Sequence, residues 1–371
     1  MNEESLKDFG EKINQILKGK DLPREEAKDM FSQVLLGKQP ELHQGAFLSA
    51  LMAKGPTFEE ISGTWEAIYE LDTIKVKLET TKPVLDNCGT GMDTIKTFNV
   101  STAAAIVAAA GGVCLARHGA RAISSMCGTV DIAEVLGVDV ECEIEVVKKS
   151  IERTGIGLFN GMSSKVHPRS LFRILSQIRF GTILNLAGSL ANPVLPRYGI
   201  RGVYSKELIK PVIQVMKNIG YQKAMVFHGL NSEETRGMDE VSPLGETFVA
   251  EFNDDEINYY SIFPEDFGME KRPEERELLA IPDPEKEALK LLSILTGRDK
   301  GARYKTICLN TAPIFYLTGQ VKNFVEGFEI AKDIIDSGKA MEKLRQWVME
   351  QSRDPKEAGK KIEDLLEYIK N

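Results

Sequence analysis

A basic surplus is missing from this chain. Lysine and arginine number 47 against 55 acidic residues, a formal net charge of −8 at pH 7. Proteins that grip a nucleic-acid backbone normally carry a basic excess to replace condensed counterions, so this balance speaks against that class. Cysteine is sparse, and Cys88, Cys114, Cys127, Cys142 and Cys308 form no CxxC pair. They read as reduced thiols of a cytoplasmic protein, with neither a zinc site nor a disulfide framework. The four histidines show no metal-ligand spacing, and no Ser/His/Asp set can be picked out. Membrane-length apolar runs are lacking too. The most apolar stretch, Val100 to Ala116, is mostly alanine interrupted by Gly111 and Gly112, and is short of the roughly 20 residues that span a bilayer. The acidic, polar opening MNEESLKDFGEK has no signal-peptide character. A soluble protein without membrane contact is expected.

What is present is ordinary globular composition over 371 residues, 42% hydrophobic and 27% charged, enough for one large domain or two smaller ones. Residues 1 to about 75 read as all-helical. Asp21-Leu22-Pro23-Arg24-Glu25-Glu26 offers an N-cap candidate, an early proline and first-turn acids, and Leu35-Leu36-Gly37 closes that helix. Gly45 to Gly55 holds a second helix, and another follows Thr57-Phe58-Glu59-Glu60, with Ile61, Trp65 and Ile68 at helical spacing. Near Pro83 the pattern changes to a strand (Val84 to Cys88), an alanine-rich helix (Ser101 to Ala110), a strand (Gly112 to Ala116) and a helix (Asp131 to Leu136). This βαβα unit implies a mainly parallel sheet. Further strands are expected at Gly202-Val203-Tyr204, Lys223 to Phe227 and Thr306 to Leu309, with helical stretches over about 285 to 297 and 324 to 369. The fold class is therefore α/β: a small all-helical domain over 1–75, rejoined by part of 165–192, plus a larger α/β domain over 80–164 and 193–371. The interdomain cleft is expected near Phe159 to Asn192.

Three loops carry the chemistry. Gly89-Thr90-Gly91-Met92-Asp93-Thr94-Ile95-Lys96-Thr97-Phe98-Asn99-Val100-Ser101-Thr102 joins a strand to a helix. Its glycines admit backbone amides close to an anion, and the helix start adds free amides and a positive dipole end. The neighbouring strand leads into Arg117-His118-Gly119-Ala120-Arg121-Ala122-Ile123-Ser124-Ser125-Met126-Cys127-Gly128-Thr129, with two arginines and several hydroxyls. Loops at adjacent strand ends would face one another across one crevice. Asp239-Glu240, within Gly237 to Ser242, would repel a polyphosphate unless a hard cation such as Mg2+ lay between them.

At these residues the chain resembles the anthranilate phosphoribosyltransferase family, within the fold group shared with pyrimidine nucleoside phosphorylases. The resemblance extends through Gln44-Gly45-Ala46-Phe47-Leu48, Thr182-Ile183-Leu184-Asn185-Leu186, Leu190-Ala191-Asn192-Pro193, Pro264 to Gly268, Leu309-Asn310-Thr311-Ala312 and Asp336 to Ala340. It implies a homodimer built through the helical domain. It also implies a Mg2+-dependent transfer of phosphoribosyl from phosphoribosyl pyrophosphate to an aromatic amine, most simply anthranilate, in tryptophan biosynthesis. Donor contacts carried over by motif are Gly89, Asp93, Thr97, Asn99, Ser101, Thr102, Arg117, Ser125 and Thr129. Metal contacts are Ser101, Asp239 and Glu240, and acceptor contacts are Ala120, His167 and Arg173. No residue is assigned as an acid or base, since an aromatic amine is neutral at pH 7 and positioning with metal assistance can suffice. Departures fall at Arg117, where the family usually has lysine, at Met92, where it usually has glycine, and at Ala120, where an asparagine contacts anthranilate. The segment Phe159 to Ser170 is longer before its histidine than the family's. A relative with another aromatic or heterocyclic nitrogen acceptor, a nucleoside phosphorylase, or a non-catalytic nucleic-acid-binding relative are the alternatives.

Overall fold

The computed structural model describes residues 3–122, 127–269 and 271–369. It opens with helices α1 (Glu3–Leu17), α2 (Arg24–Leu35), α3 (Glu41–Lys54) and α4 (Phe58–Asp72). Their apolar faces share one core, in which Phe9, Phe31, Phe47, Leu51, Ile61 and Ile68 are buried. A capping box starts α4, with the Glu60 amide donating to Thr57 Oγ1 and the Thr57 amide to the Glu60 carboxylate. Asp21 does not cap α2. Pro23 occupies the N-cap in extended conformation, and the Asp21 carboxylate instead accepts from Lys54 Nζ at 2.7 Å.

The chain then enters the α/β region through β1 (Val84–Gly89), α5 (Val100–Ala110), β2 (Cys114–Gly119), α6 (Thr129–Val135), α7 (Ile144–Thr154) and β3 (Ile156–Asn160). Two short helices, α8 (Leu171–Gln177) and α9 (Leu184–Leu190), return to the first four. Leu171, Ile174, Leu184 and Leu190 join the same apolar cluster, and Trp65 Nε1 donates to the Leu190 carbonyl at 3.0 Å. After them come β4 (Tyr198–Gly202), α10 (Ile209–Asn218), β5 (Lys223–Leu230), β6 (Gly237–Met238), β7 (Thr247–Asn253) and β8 (Glu256–Ile262). The sheet runs β3-β2-β1-β4-β5-β7-β8, with β6 paired to β5. Strands β1 to β5 are parallel, while β6, β7 and β8 are antiparallel additions. Five helices close the chain: α11 (Pro284–Leu295), α12 (Ala302–Leu317), α13 (Phe324–Asp336), α14 (Lys339–Glu350) and α15 (Pro355–Tyr368).

One expected strand is a helix. Thr306 to Leu309 lies inside α12, where Ile307, Cys308, Leu309 and Ala312 are all fully buried. A helix buried nearly all round has no amphipathic period, and a short β-branched run within it looks like a core strand. Strand β4 ends at Gly202, so Val203 and Tyr204 lie beyond it, and β2 continues past Ala116 to take in Arg117, His118 and Gly119. The expected helical stretch over 324–369 is three helices, broken at Gly338, whose φ of +78° needs glycine, and at Asp354-Pro355. Among the described residues no helix is long and apolar enough to cross a membrane.

Candidate active site

The carboxyl ends of β1 and β4 meet with Gly89 opposite Gly202, the position where open α/β sheets place ligands. The acidic loop after β6 closes onto this pair. A Cβ on Gly202 would stand 1.5 Å from the Asp239 carbonyl oxygen, and one on Gly89 would stand 2.3 Å from Asp239 Oδ2. Only glycine at both strand ends leaves room for Asp239. Backbone pairing fastens the two loops together: the Thr94 and Ile95 amides donate to the Gly237 carbonyl at 3.1 and 3.0 Å. From α12, the Asn310 side chain accepts from the Val241 amide at 2.8 Å and donates to the Val241 carbonyl at 3.0 Å. Residues more than a hundred positions apart are thus held as one unit.

Within that unit the carboxylates of Asp93, Asp239 and Glu240 converge, each offering an oxygen within 4.8 Å of the others. Asp239 Oδ2 accepts the Gly91 amide at 2.6 Å, and Glu240 Oε1 accepts the Thr97 hydroxyl at 2.9 Å. Glu240 Oε2 is buried with no donor reaching it. Burial, with repulsion from Asp239, pushes the Asp93 carboxyl up to about 7. Burial raises Asp239, and burial with both neighbouring acids holds Glu240 well above the usual carboxylate range. Buried acids so arranged call for protons or a cation. The donor set is all oxygen, which suits Mg2+, and the orphaned Glu240 oxygen is a ligand atom awaiting a partner.

Helix α5 begins on the other wall. Asn99 stands at its N-cap without a capping hydrogen bond, and Thr97, Asn99, Ser101, Gly119, Ala120 and Thr129 line the same crevice as the acids. Ser125 lies outside the described residues. Arg117 is 1% exposed and sits beneath the crevice surface. Its guanidinium donates to Thr102 Oγ1 at 2.8 Å, Ser101 Oγ at 3.1 Å and Asn87 Oδ1 at 3.1 Å. All these partners are neutral, so Arg117 places a buried positive charge under the start of α5 while fixing its hydroxyls. Thr102 is likewise fully buried. Arg121 reaches the crevice but is paired with Asp131 and Glu134 at 3.2 and 2.7 Å.

Toward the helical side, His118 and His167 form a buried pair with Nε2 to Nε2 at 3.1 Å. His167 Nδ1 lies 2.8 Å from the Asp72 carbonyl, which can only accept. The neutral tautomers follow: His167 donates from Nδ1, its Nε2 accepts from His118 Nε2–H, and His118 Nδ1 is left as a lone pair. That atom is buried without a hydrogen-bond partner, and His118 lines the crevice. Burial pushes the His167 imidazole down to about 4 and holds His118 well below the usual range. Leu171, Leu175 and Leu184 supply an apolar wall beside the pair. Arg173 is not brought to the crevice. It is two residues from both Leu171 and Leu175 on α8, hence on the opposite helix face, and donates to Glu41 at 2.8 Å and Gln44 at 3.3 Å. Arg169 Nε likewise binds the Leu71 carbonyl at 2.8 Å.

Three further side chains belong to the crevice and carry no signal that singles them out in sequence. Lys96 Nζ stands 3.4 Å from Asp93 Oδ1, a cation against the acidic cluster. Asn185, on α9, donates to the Thr90 carbonyl at 3.0 Å and so ties the helical side to the glycine loop. Asn185 and Asn310 are legible only as parts of family motifs, and Lys96 only as a member of the glycine loop.

A glycine-floored crevice beside three converging carboxylates, where a helical bundle meets a mainly parallel sheet, is the architecture of a glycosyltransferase family. Residues 81–341 match the family described as Glycosyl transferase family, a/b domain, and residues 11–71 match its helical bundle domain. The chain belongs to the anthranilate phosphoribosyltransferase family. It is 37% identical to the anthranilate phosphoribosyltransferase of Persephonella marina over 91% of this chain and 98% of that protein. With the enzyme of Methanosarcina acetivorans it shares 38% identity over 92% of this chain and 90% of the other. The crystal structure of the Thermus thermophilus enzyme superposes with a TM-score of 0.80 at 31% identity, covering 91% of this chain and 98% of that one. The Saccharomyces cerevisiae enzyme, in complex with PRPP and Mg, gives 0.79 at 26% identity, covering 94% and 98%.

Proposed function

We propose that this protein transfers the 5-phosphoribosyl group from phosphoribosyl pyrophosphate (PRPP) to anthranilate, a step of tryptophan biosynthesis. The bond from ribose C1 to the pyrophosphate oxygen breaks, a bond from the amine nitrogen to C1 forms, and the nitrogen loses a proton. The observation that carries this reading is the convergence of Asp93, Asp239 and Glu240 within 4.8 Å beside the glycine loop. Gly89, Asp93, Thr97, Asn99 and Thr129 are assigned to the donor, together with Ser101 and Ser125, and Asp239, Glu240 and Ser101 to Mg2+. Arg117 and Thr102 serve the donor from below, since they reach it through Ser101 and the start of α5. Mg2+ bound there supplies charge neutralisation for the departing pyrophosphate. The amides of the glycine loop and of α5 hold the donor, and positioning accounts for much of the rate.

On the acceptor side, the apolar wall of Leu171 and Leu175 suits an aromatic ring, and the His118 Nδ1 lone pair suits an amine N–H. Ala120 and the outward Arg173 support a second reading, in which the acceptor is another aromatic or heterocyclic nitrogen lacking anthranilate's carboxylate. Pyrophosphate release from PRPP and Mg2+ across a panel of amines separates the two. Turnover with anthranilate supports the first, and turnover only with a carboxylate-free acceptor replaces it with the second. Pyrophosphate formed with no acceptor in the panel overturns both.

The reading extends to the assembly and the compartment. Residues 1–75 with part of 165–192 are taken as one domain and 80–164 with 193–371 as the other. A homodimer through the helical domain accounts for Leu17, Leu36 and Leu42, exposed on its surface, Leu42 to 86%, and sedimentation velocity tests it. A cytoplasmic location accords with five free thiols.

A further inference from the structure

Met92 stands where the family usually carries glycine, and it takes the conformation that glycine favours, with φ of +71°. A left-handed backbone is costly for a side chain with a Cβ, so something must hold it. The side chain lies directly on Gly181, in the connection between α8 and α9. A Cβ on Gly181 would come within 2.4 Å of Met92 Sδ and Cε and 2.5 Å of its Cγ. Gly181 is therefore the socket for Met92. Two residues before Met92, the Thr90 carbonyl accepts from Asn185 of α9 at 3.0 Å, and between them the Gly91 amide donates to Asp239. The glycine loop is gripped on one side by the acidic cluster and on the other by two contacts from the helical side.

We propose that Met92 and Gly181 form a clasp that holds the glycine loop in its donor-binding shape, making Met92 a positioning residue for PRPP. The inference rests on reading the crevice as the donor site. Glycine at this position would follow the loop wherever it moved. Methionine seated on Gly181 couples the loop to the α8–α9 segment, so the anion-binding amides are arranged before the donor arrives. Its thioether makes no contact with substrate in this scheme and acts through the Gly91 and Asp93 backbone.

The test is a mutant cycle on the full-length protein, read by PRPP saturation kinetics and by hydrogen exchange of the 89–94 amides. Met92→Ala keeps the strained backbone and loses the seat, so the loop leaves its shape. KM for PRPP should rise ~5- to 30-fold, the equivalent of ~1–2 kcal/mol of left-handed strain, with kcat changing less than about threefold. Met92→Gly removes strain and seat together, and its KM should rise only ~2- to 5-fold, the order of glycine's extra conformational freedom. Met92→Leu, which refills the socket, should restore KM to within about twofold of wild type. Gly181→Ala should raise KM in the wild-type background and do little in the M92G background, because the clash it creates is with the methionine side chain. Loop amides should exchange faster in M92A and G181A than in wild type. Equal effects of G181A in both backgrounds, or an unchanged KM in M92A, would overturn the clasp. The exchange cycle needs no substrate, so wild-type protein that fails to use PRPP would refute the donor reading while unaltered exchange in M92A would refute the clasp itself.

Discussion

Replacing Glu240 by glutamine should make the ligand-free protein more stable and the enzyme nearly inactive. The substitution preserves shape while removing one charge from a buried cluster whose oxygens lie within 4.8 Å of each other. Two full charges at that separation repel by ~3.5 kcal/mol at an effective dielectric of about 20. The cluster already shares protons near neutrality, as the elevation of Asp93 to about 7 indicates, so only part of that repulsion is present to be relieved. A gain of about 1–2 kcal/mol is expected, or roughly 1–3 °C in Tm for a chain of this size. The amide also gives Asp239 or Asp93 a donor that the carboxylate withheld. Activity should fall ~10²- to 10³-fold, the usual consequence of losing a charge-stabilising group. Thermal unfolding in EDTA and in MgCl2, beside pyrophosphate release, reads both effects. The pH dependence has a definite sign. Because Asp93 is raised in the native state, folded protein holds a proton between about pH 4 and 7 that the unfolded chain gives up. This group's contribution to the stability of the metal-free protein therefore falls as pH rises through that window. Mg2+ competes with those protons, so metal stabilisation should grow toward pH 7 and above. A variant that is less stable without metal, responds normally to Mg2+ and keeps its activity would refute the cation cradle.

The buried histidine pair predicts an opposite slope. His167 is depressed to about 4, so its share of stability is complete above the unfolded value near 6.5 and is lost as pH falls through about 4. The acid limb of a Tm against pH curve should flatten in His167→Gln. His118→Phe should raise the anthranilate KM by ~10-fold through loss of one buried hydrogen bond, with the PRPP KM within about twofold; an equal rise in both would place the histidine elsewhere in the mechanism. Gly202→Ala drives a Cβ into the Asp239 carbonyl and should cost about 1–3 kcal/mol, abolishing the Mg2+-dependent rise in Tm. Asp86→Ala leaves Arg201, 1% exposed and paired to Asp86 at 2.7 Å, as an uncompensated buried cation. Chemical denaturation should show a loss of about 3–5 kcal/mol.

Legibility in the sequence followed the range over which each feature is built. The glycine loop and the start of α5 are short contiguous stretches of backbone chemistry, the βαβ connection brings two loops to one edge, and Asp239-Glu240, an ordinary acidic turn by itself, gains meaning only in their company. The capping box at Thr57 and Glu60 is equally local. Reach failed where side-chain direction mattered. Arg117 reads in sequence as a phosphate ligand at the head of a polar loop, but β2 continues through Gly119 and keeps Arg117 within the sheet, where its fork turns toward Asn87 and α5. Arg173 looked like the nearest arginine for an acceptor carboxylate, and helical phase turns it toward α3. Thr306 to Leu309 read as a strand because complete burial erases the period that marks a helix.

The two walls of the crevice consequently obey different constraints. On the proposed donor side, atoms are placed by backbone: Gly89 and Gly202 admit Asp239, and the Gly237 carbonyl joins the loops, so a side chain at either glycine would displace the acidic cluster. On the proposed acceptor side, the surface is made of side chains from β2, α8 and α9, backed by His167 against His118. Such a surface can change its ring pocket or its charge one residue at a time while the donor chemistry stays whole. Ala120 and the longer Phe159 to Ser170 segment fall on that side, while Arg173 stands on the reverse face of α8. The departures that bear on acceptor choice are thus concentrated where the architecture permits them, and Met92, on the donor loop, is accommodated only because Gly181 leaves a socket for it.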